Sequence, residues 1–250
     1  MTMRTVVVSA GRPERVPIMA KVCDLPLRWY VPEAERSAYD AAGATDVVSV
    51  PGGLPNVSRA RNQAIDEAEA DGVDTLVFVD DDVKQWRHVH WHEGTRARTQ
   101  PVPLSFVALH VLGCLEGTPY HLGGVAPTKN WLYACSGPRV KYAANMSDAT
   151  LVLRLPSPVR YDPDTDSIQD QDFVLQHIVH HGGIVRDDLV LLDWDMRKLP
   201  GGYQHTDREF LDLQAETVIR HKWGRYLRPA KSGWRVDWKQ VFAEHGRPPE

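Results

Sequence analysis

Apolar residues come in short unbroken runs along this chain, separated by longer mixed stretches. Arg4 to Ser9 (RTVVVS), Leu27 to Val31 (LRWYV), Asp46 to Val50 (DVVSV) and Leu76 to Val79 (LVFV) are rich in β-branched and aromatic residues. Runs of that length and composition read as buried strands. Tyr120 to Pro127 and Trp131 to Cys135, around the turn Thr128-Lys129-Asn130, are expected to be strands as well, as are Thr150 to Leu155 and Ile184 to Leu192. Between them the period changes. Val57, Ala60, Ala64, Ile65 and Ala68 share one face at helical spacing, which predicts a helix over Asn56 to Ala70. Leu104 to Leu115 reads as a mostly buried helix. Ile168 to His181 reads as a third, with Phe173, Val174, His177 and Ile178 inward and Gly182-Gly183 as its stop. Pro32, Glu33 and Glu35 suit the first turn of a further helix. Thr206 with Glu209 makes a capping box for a helix ending near Trp223. Lys84 to Thr99 fits neither period. Strands alternating with helices predict an α/β fold, a Rossmann-like central mixed sheet flanked by helices.

Length and composition change this picture little. The 250 residues are 42% hydrophobic and 25% charged, in the range of one large α/β domain. No interdomain linker, repeat or low-complexity tract interrupts them, so residues 1–250 are expected to form a single domain, with 206–250 its helical, basic, Trp-rich extension. No apolar run approaches the length of a membrane span and no signal-peptide pattern opens the chain, which predicts a cytoplasmic protein. Three cysteines, Cys23, Cys114 and Cys135, contain no CxxC and indicate neither a disulfide framework nor a zinc knot. His88, His90 and His92 alternate as ligands on a strand would, but no fourth ligand stands at a recognised zinc spacing. The formal net charge of −4 speaks against a globally basic nucleic-acid binder, yet the charge is uneven. From Arg220 to Arg247 eight cations face two acids, an excess of six, with Trp223, Tyr226, Trp234 and Trp238 interleaved. Aromatics among arginines suit a polyanion or a stacked base, and Trp86, Arg87, Arg225, Arg228, Lys231 and Trp234 are the candidate nucleic-acid contacts.

The chemistry concentrates in TLVFVDDDV. A buried strand running into Asp80, Asp81 and Asp82 is costly unless the charges meet water, a cation or hydrogen-bond donors. Carboxylate oxygens suit Mg²⁺ or Mn²⁺, which takes one or two carboxylates plus substrate phosphates. An acidic loop that merely ends the strand is the structural alternative. Arg61 falls in the middle of the apolar face of its helix, so it needs an inward carboxylate or phosphate partner or must extend outward along its stem. Asn62 beside it either binds a ligand or faces solvent. Ser9-Ala10-Gly11-Arg12-Pro13 follows a strand at the end where open α/β sheets place ligands. Asp170 and Asp172 stand in the first turn of their helix, where dipole and capping chemistry alone accounts for acids. Pro200-Gly201-Gly202 is a loop that lets backbone approach a phosphate or closes as a lid.

In order, SAGRP, SRARN, LVFVDDDV, QDQDF and GGYQ resemble the parts of a GT-A glycosyltransferase over residues 4 to 210. DDD resembles the DxD motif, which in that fold holds a divalent cation and the diphosphate of a nucleotide-sugar. QDQDF resembles the later acidic motif whose carboxylate is the base in inverting members, although Gln169 stands where such motifs often carry Glu. Within the fold, SAGRP, ARN, DDD and GGYQ are similar to the phage glycosyltransferases associated with TET/JBP dioxygenases, related to the base J glucosyltransferase. The resemblance implies a Mn²⁺- or Mg²⁺-dependent enzyme using a donor such as UDP-glucose and acting on hydroxymethylated pyrimidines, 5-hydroxymethylcytosine among them, in bacteriophage DNA in the host cytoplasm. It implies Asp80, Asp82 and His205 as metal ligands, and Ser9, Gly11, Arg12, Arg61, Asn62, Asp80, Asp81, Gly201, Gly202 and Gln204 around the donor. Asp170 would be the base and Asp172 its neighbour.

Rival readings fit less well. A nucleotidyltransferase is expected to have a longer Gly-rich first loop with a lysine, which AGRPERVP lacks. A phosphohydrolase of the DxDxT type would need Thr where Lys84 stands. Glycan, protein or small-molecule acceptors, and a non-catalytic DNA-binding protein on the same fold, remain the alternatives to a DNA-modifying enzyme.

Overall fold

The structure is a computed structural model and describes residues 2–52, 57–90, 97–195, 199–200, 208–231 and 233–249. The first half is wound as expected. Strands β1 (Met3–Val8), β2 (Leu27–Pro32), β3 (Val47–Val50) and β4 (Thr75–Asp80) stand in the order β3-β2-β1-β4. All are parallel, with α1 (Val16–Val22), α2 (Arg36–Ala41) and α3 (Val57–Ala70) in the crossovers. The register pairs Val8 with Asp80, so the loops leaving β1 and β4 emerge side by side.

The second half is mixed. It comprises β5 (Val83–His90), β6 (Arg98–Val102), α4 (Leu104–Leu115), β7 (Leu122–Ala126), α5 (Trp131–Ala134), β8 (Val140–Lys141), β9 (Thr150–Arg154), α6 (Gln169–His181) and β10 (Val185–Trp194). The sheet continues from β4 as β9-β7-β10-β5-β6, with β8 also on β10. β9 is antiparallel to both β4 and β7, and β5 is antiparallel to β10. The expected α/β class, a central mixed sheet flanked by helices, is therefore present. Successive residues of β4 point to opposite faces. Val77 and Val79 join the layer under α1, α2 and α4, while Leu76 and Phe78 join the layer under α3 and α6. Burial on both faces is why these strands read as unbroken apolar runs.

Three expectations need correcting. Lys84 to Thr99 supplies β5 and the start of β6. Its charged residues occupy the partly exposed positions while Val83, Trp86 and Val89 go inward. Trp131 to Cys135 is not a strand. The Asn130 side chain accepts a hydrogen bond from the Leu132 N–H at 3.1 Å and caps a helical turn, α5. The extension is not wholly helical. After α7 (Arg208–Trp223) come a two-stranded hairpin, β11 (Leu227–Pro229) with β12 (Trp234–Val236), and α8 (Trp238–His245). Trp223, Trp234 and Trp238 pack against the α3/α6 core layer.

Candidate active site

The three acids form the link between β4 and β5, and each has a different environment. Asp81 is buried. Its carboxylate accepts hydrogen bonds from the Ser9 hydroxyl and, at 2.7 Å, from Arg12 Nη1. Its backbone oxygen accepts from Arg15 Nε at 2.6 Å. Burial nevertheless raises its pKa, against the pull of Arg12. Asp80 keeps a third of its side chain open to solvent and accepts from Arg61 Nη2 at 2.8 Å. Asp82 is partly buried, and its Oδ1 is fully enclosed without a hydrogen-bond partner. Burial, reinforced by the charges of Asp80 and Asp81, pushes Asp82 up to about 7.

Arg61 does point inward. It is 2% exposed and also donates to Asp148, a buried acid in the loop before β9. Burial raises Asp148 to about 6 although Arg61 opposes the shift. Asp170, in the first turn of α6 and partly exposed, joins the same electrostatic cluster. Burial first, then the charge of Asp148, raise it to about 7, and Asp80 adds to this. The Tyr161 hydroxyl reaches Asp148 at 3.4 Å, and its ring stacks on Phe173 with centroids 3.8 Å apart. Asp80, Asp81, Asp82, Asp148 and Asp170 face three guanidiniums, Arg12, Arg15 and Arg61, so two negative charges remain when all are ionised. One divalent cation would balance them. The orphaned oxygen of Asp82 and the partly open carboxylate of Asp80 fit such an ion. Two carboxylates are what a Mg²⁺ or Mn²⁺ that shares its shell with phosphates requires.

Several expected ligand contacts are otherwise engaged. Ser9 is 4% exposed, held between the Tyr39 hydroxyl at 2.7 Å and Asp81. Gly11, at a φ of 67 that only glycine takes without strain, donates its N–H to Glu35. Besides holding Asp81, Arg12 donates through Nε to the Pro200 carbonyl at 2.8 Å, tying the β1 loop to the chain after β10. Asn62 is half-buried and engaged by backbone from across the fold. Its amide pairs both ways with the Tyr161 backbone, each bond 2.8 Å. Asp172 turns away from Asp170. It is fully buried and accepts from Trp223 Nε1 at 2.7 Å and Lys222 Nζ at 2.6 Å, anchoring α7. Gly201, Gly202, Gln204 and His205 lie outside the described residues.

The candidate nucleic-acid residues do not form one surface of stacked aromatics. Trp86 is 0% exposed, with its Nε1 donating to Thr150, so it cannot stack on a base. Arg87 is occupied by Thr99 across the β5–β6 pair. Arg225, Arg228 and Lys231 are exposed near the hairpin, but Arg225 pairs with Glu244 and Arg228 with Asp237, each at 3.3 Å. Asp148 was not among the expected site residues. Its one sequence signal is indirect: an inward Arg61 demands a buried carboxylate.

No family model matches the chain, and no curated protein matches it in sequence. Among solved structures it is similar to TarS 1–349 of S. aureus in complex with UDP, at 11% identity and a TM-score of 0.49, over 88% of this chain and 72% of that one. A CMP:2-keto-3-deoxy-manno-octonic acid synthetase complexed with CTP overlaps at 11% identity and a TM-score of 0.41, over 74% and 89%. A structure described as mannose-1-phosphate geranyltransferase from Thermus thermophilus overlaps at 13% and 0.35, over 98% and 68%. These overlaps are partial, and the fold assignment rests on the strand order itself. No described helix is long and apolar enough to cross a membrane.

Proposed function

We propose that this chain is a metal-dependent glycosyltransferase of the GT-A type, moving a sugar from a nucleotide-sugar to an acceptor hydroxyl with inversion. The observation that carries the reading is the pairing of two chemistries in one acidic cluster. Asp80 and Asp82 offer oxygen ligands with an unmet charge, and Asp170 has a carboxyl lifted to about 7. A general base works best with a pKa near the working pH, and burial places Asp170 there. When bound, Mg²⁺ or Mn²⁺ would neutralise charge developing on the leaving nucleoside diphosphate.

The chain's own residues do the rest. Asp80 and Asp82 would hold the ion. Arg61 fixes Asp80 and Asp148 relative to each other, and so sets the field around Asp170. Asp170 takes the proton from the acceptor hydroxyl as that oxygen attacks the anomeric carbon. Arg12, through Asp81 and the Pro200 carbonyl, orders the loops on either side of the donor.

For the acceptor we infer a hydroxymethylated pyrimidine in DNA. Two observations support it: the resemblance of the sequence motifs, and the exposed Arg225, Arg228, Lys231 and Arg235 on the C-terminal hairpin side. A screen of UDP- and GDP-sugars with Mn²⁺, followed by mass spectrometry of 5-hydroxymethylcytosine and 5-hydroxymethyluracil DNA, tests both halves. Donor hydrolysis or transfer that persists in EDTA would overturn the metal assignment. Metal-dependent donor turnover with no mass shift on any modified DNA would move the acceptor to a glycan, protein or small molecule.

A further inference from the structure

A second cluster with metal-binding chemistry lies far from the acids. His110 and Cys114 sit one turn apart on the same face of α4, both directed at Asp187 of β10. His110 Nε2 is 2.7 Å from Asp187 Oδ2, and Cys114 Sγ is 3.5 Å from the same oxygen. The three ligand atoms all lie within 4.8 Å of one another, the one such group of His, Cys, Asp or Glu among the described residues. Asp187 is fully buried, and the Leu189 N–H holds its other oxygen at 2.8 Å. His88 on β5 borders the cluster, its ring centroid 5.5 Å from that of His110. Six residues of extended chain separate His88 from Asp82, about 20 Å at strand rise, so this is not the acid cluster seen from behind.

We propose that His110, Cys114 and Asp187 form a binding site for a borderline transition-metal ion of the zinc class, with three protein ligands and a fourth position open beside His88. A mixed nitrogen, sulfur and oxygen donor set selects such an ion over Mg²⁺ or Mn²⁺, which favour all-oxygen sites. Tetrahedral bonds of ordinary Zn–S, Zn–N and Zn–O length put sulfur and oxygen ligands about 3.5 Å apart and nitrogen and oxygen ligands about 3.3 Å apart. Cys114 Sγ already stands at that distance from Asp187 Oδ2, and the His110 ring must draw back from its 2.7 Å hydrogen bond to admit the ion.

The position already holds a cation. Arg139 Nη2 stands 3.1 Å from both His110 Nε2 and Asp187 Oδ2. One ring nitrogen cannot at once donate to the carboxylate and accept from the guanidinium, so the two contacts compete. A metal removes the conflict, because nitrogen, sulfur and oxygen then all direct lone pairs at it. Arg139 is half exposed, so its side chain can swing outward and leave an entry path. Metal and Arg139 are thus rivals for one place, and the ion would clamp α4 to β10.

The test uses the whole protein, stripped with a chelator and titrated with Co²⁺ alone. One equivalent should give a near-ultraviolet thiolate-to-cobalt charge-transfer band, and Zn²⁺ should bleach it. Cys114→Ser should abolish the band. Arg139→Gln, at a half-exposed position and with folding checked by circular dichroism, should tighten Co²⁺ binding by about 10-fold or more, the scale on which partners around a metal site act. Asp82→Asn should keep the band, which separates this site from the acid cluster. No thiolate band, a band that survives Cys114→Ser, or an Arg139→Gln protein that binds Co²⁺ no tighter than wild type would each overturn the proposal.

Discussion

If Asp82 is kept for a cation, the metal-free protein carries its charge at a cost, and Asp82→Asn should remove that cost. Its pKa stands at about 7 against an ordinary value of 3.8. A group raised on folding is neutral in the folded state at low pH and must ionise there as pH rises. The stability it withholds is therefore small below pH 4, grows between pH 4 and 7 and levels off above 7. At about 1.4 kcal/mol per unit, the ceiling near pH 8 is about 4 kcal/mol, and roughly half of it is already lost at pH 5. Asp82 is only partly buried, and solvent screening brings the realistic gain to roughly 2 kcal/mol at pH 8 and under 1 kcal/mol at pH 5. Urea denaturation in EDTA at the two pH values measures it. Asp82→Asn should be the more stable protein at pH 8, with the advantage shrinking at pH 5. Mn²⁺ should stabilise wild type at pH 8 and leave the variant unmoved. An Asp82→Asn protein less stable than wild type at pH 8, or equally changed at both pH values, would refute the assignment of an unmet charge at this carboxylate.

Asp170→Asn should lower transfer by about 10²–10⁴-fold while donor affinity in Mn²⁺ stays within a few-fold, measured by turnover beside equilibrium titration. Wild-type kcat/KM should rise with pH through about 7 as Asp170 loses its proton, and a flat profile between pH 5 and 8 would exclude it as the base. Arg61→Met strands buried Asp148 and should cost about 3–5 kcal/mol at pH 8 by urea denaturation, with a smaller loss near pH 4, where Asp148 is neutral. Asp172→Ala should cost about 1–3 kcal/mol by the same assay, because the Trp223 indole and the Gln176 amide lose their acceptor while Lys222 keeps Asp162, and it should shift Trp fluorescence without changing the pH profile of activity.

The parallel half of the fold was legible because its strands are buried on both faces and therefore unbrokenly apolar. β5 was hidden by the opposite circumstance: near the sheet edge, only Val83, Trp86 and Val89 are inward, and Lys84, Arg87 and His88 broke the pattern. At Trp131 to Cys135 an apolar run read as a strand, and a single Asn cap decided otherwise. In the acidic cluster, Asp80, Asp82 and Asp170 were legible as candidates because strand and helix ends mark them. Asp148 could not, since NMSDAT has no period and its partner Arg61 lies 87 positions away. The packing partners of Asn62 and Asp172 were illegible for the same reason. Whether a polar side chain is open to a ligand depends on Tyr161 or Trp223 arriving from elsewhere, which local sequence does not encode. The His110–Cys114–Asp187 group spans comparable distances along the chain and matches no compact motif.

The link carrying the acids has a mechanical side. β4 and β5 are joined through Asp81 and Asp82 alone, yet β9, β7 and β10 lie between them in the sheet. The link therefore bridges the parallel and antiparallel halves at one end, and the Asp195 N–H fastens it to the end of β10 by donating to the Asp82 carbonyl at 3.0 Å. Tension that separates the two halves loads the residues that would grip the ion together with the β4–β9 ladder. A bound cation would act there as a rivet, and the force needed to peel β5 from the sheet in a single-molecule pulling experiment should rise with Mn²⁺ in wild type and not in Asp82→Asn.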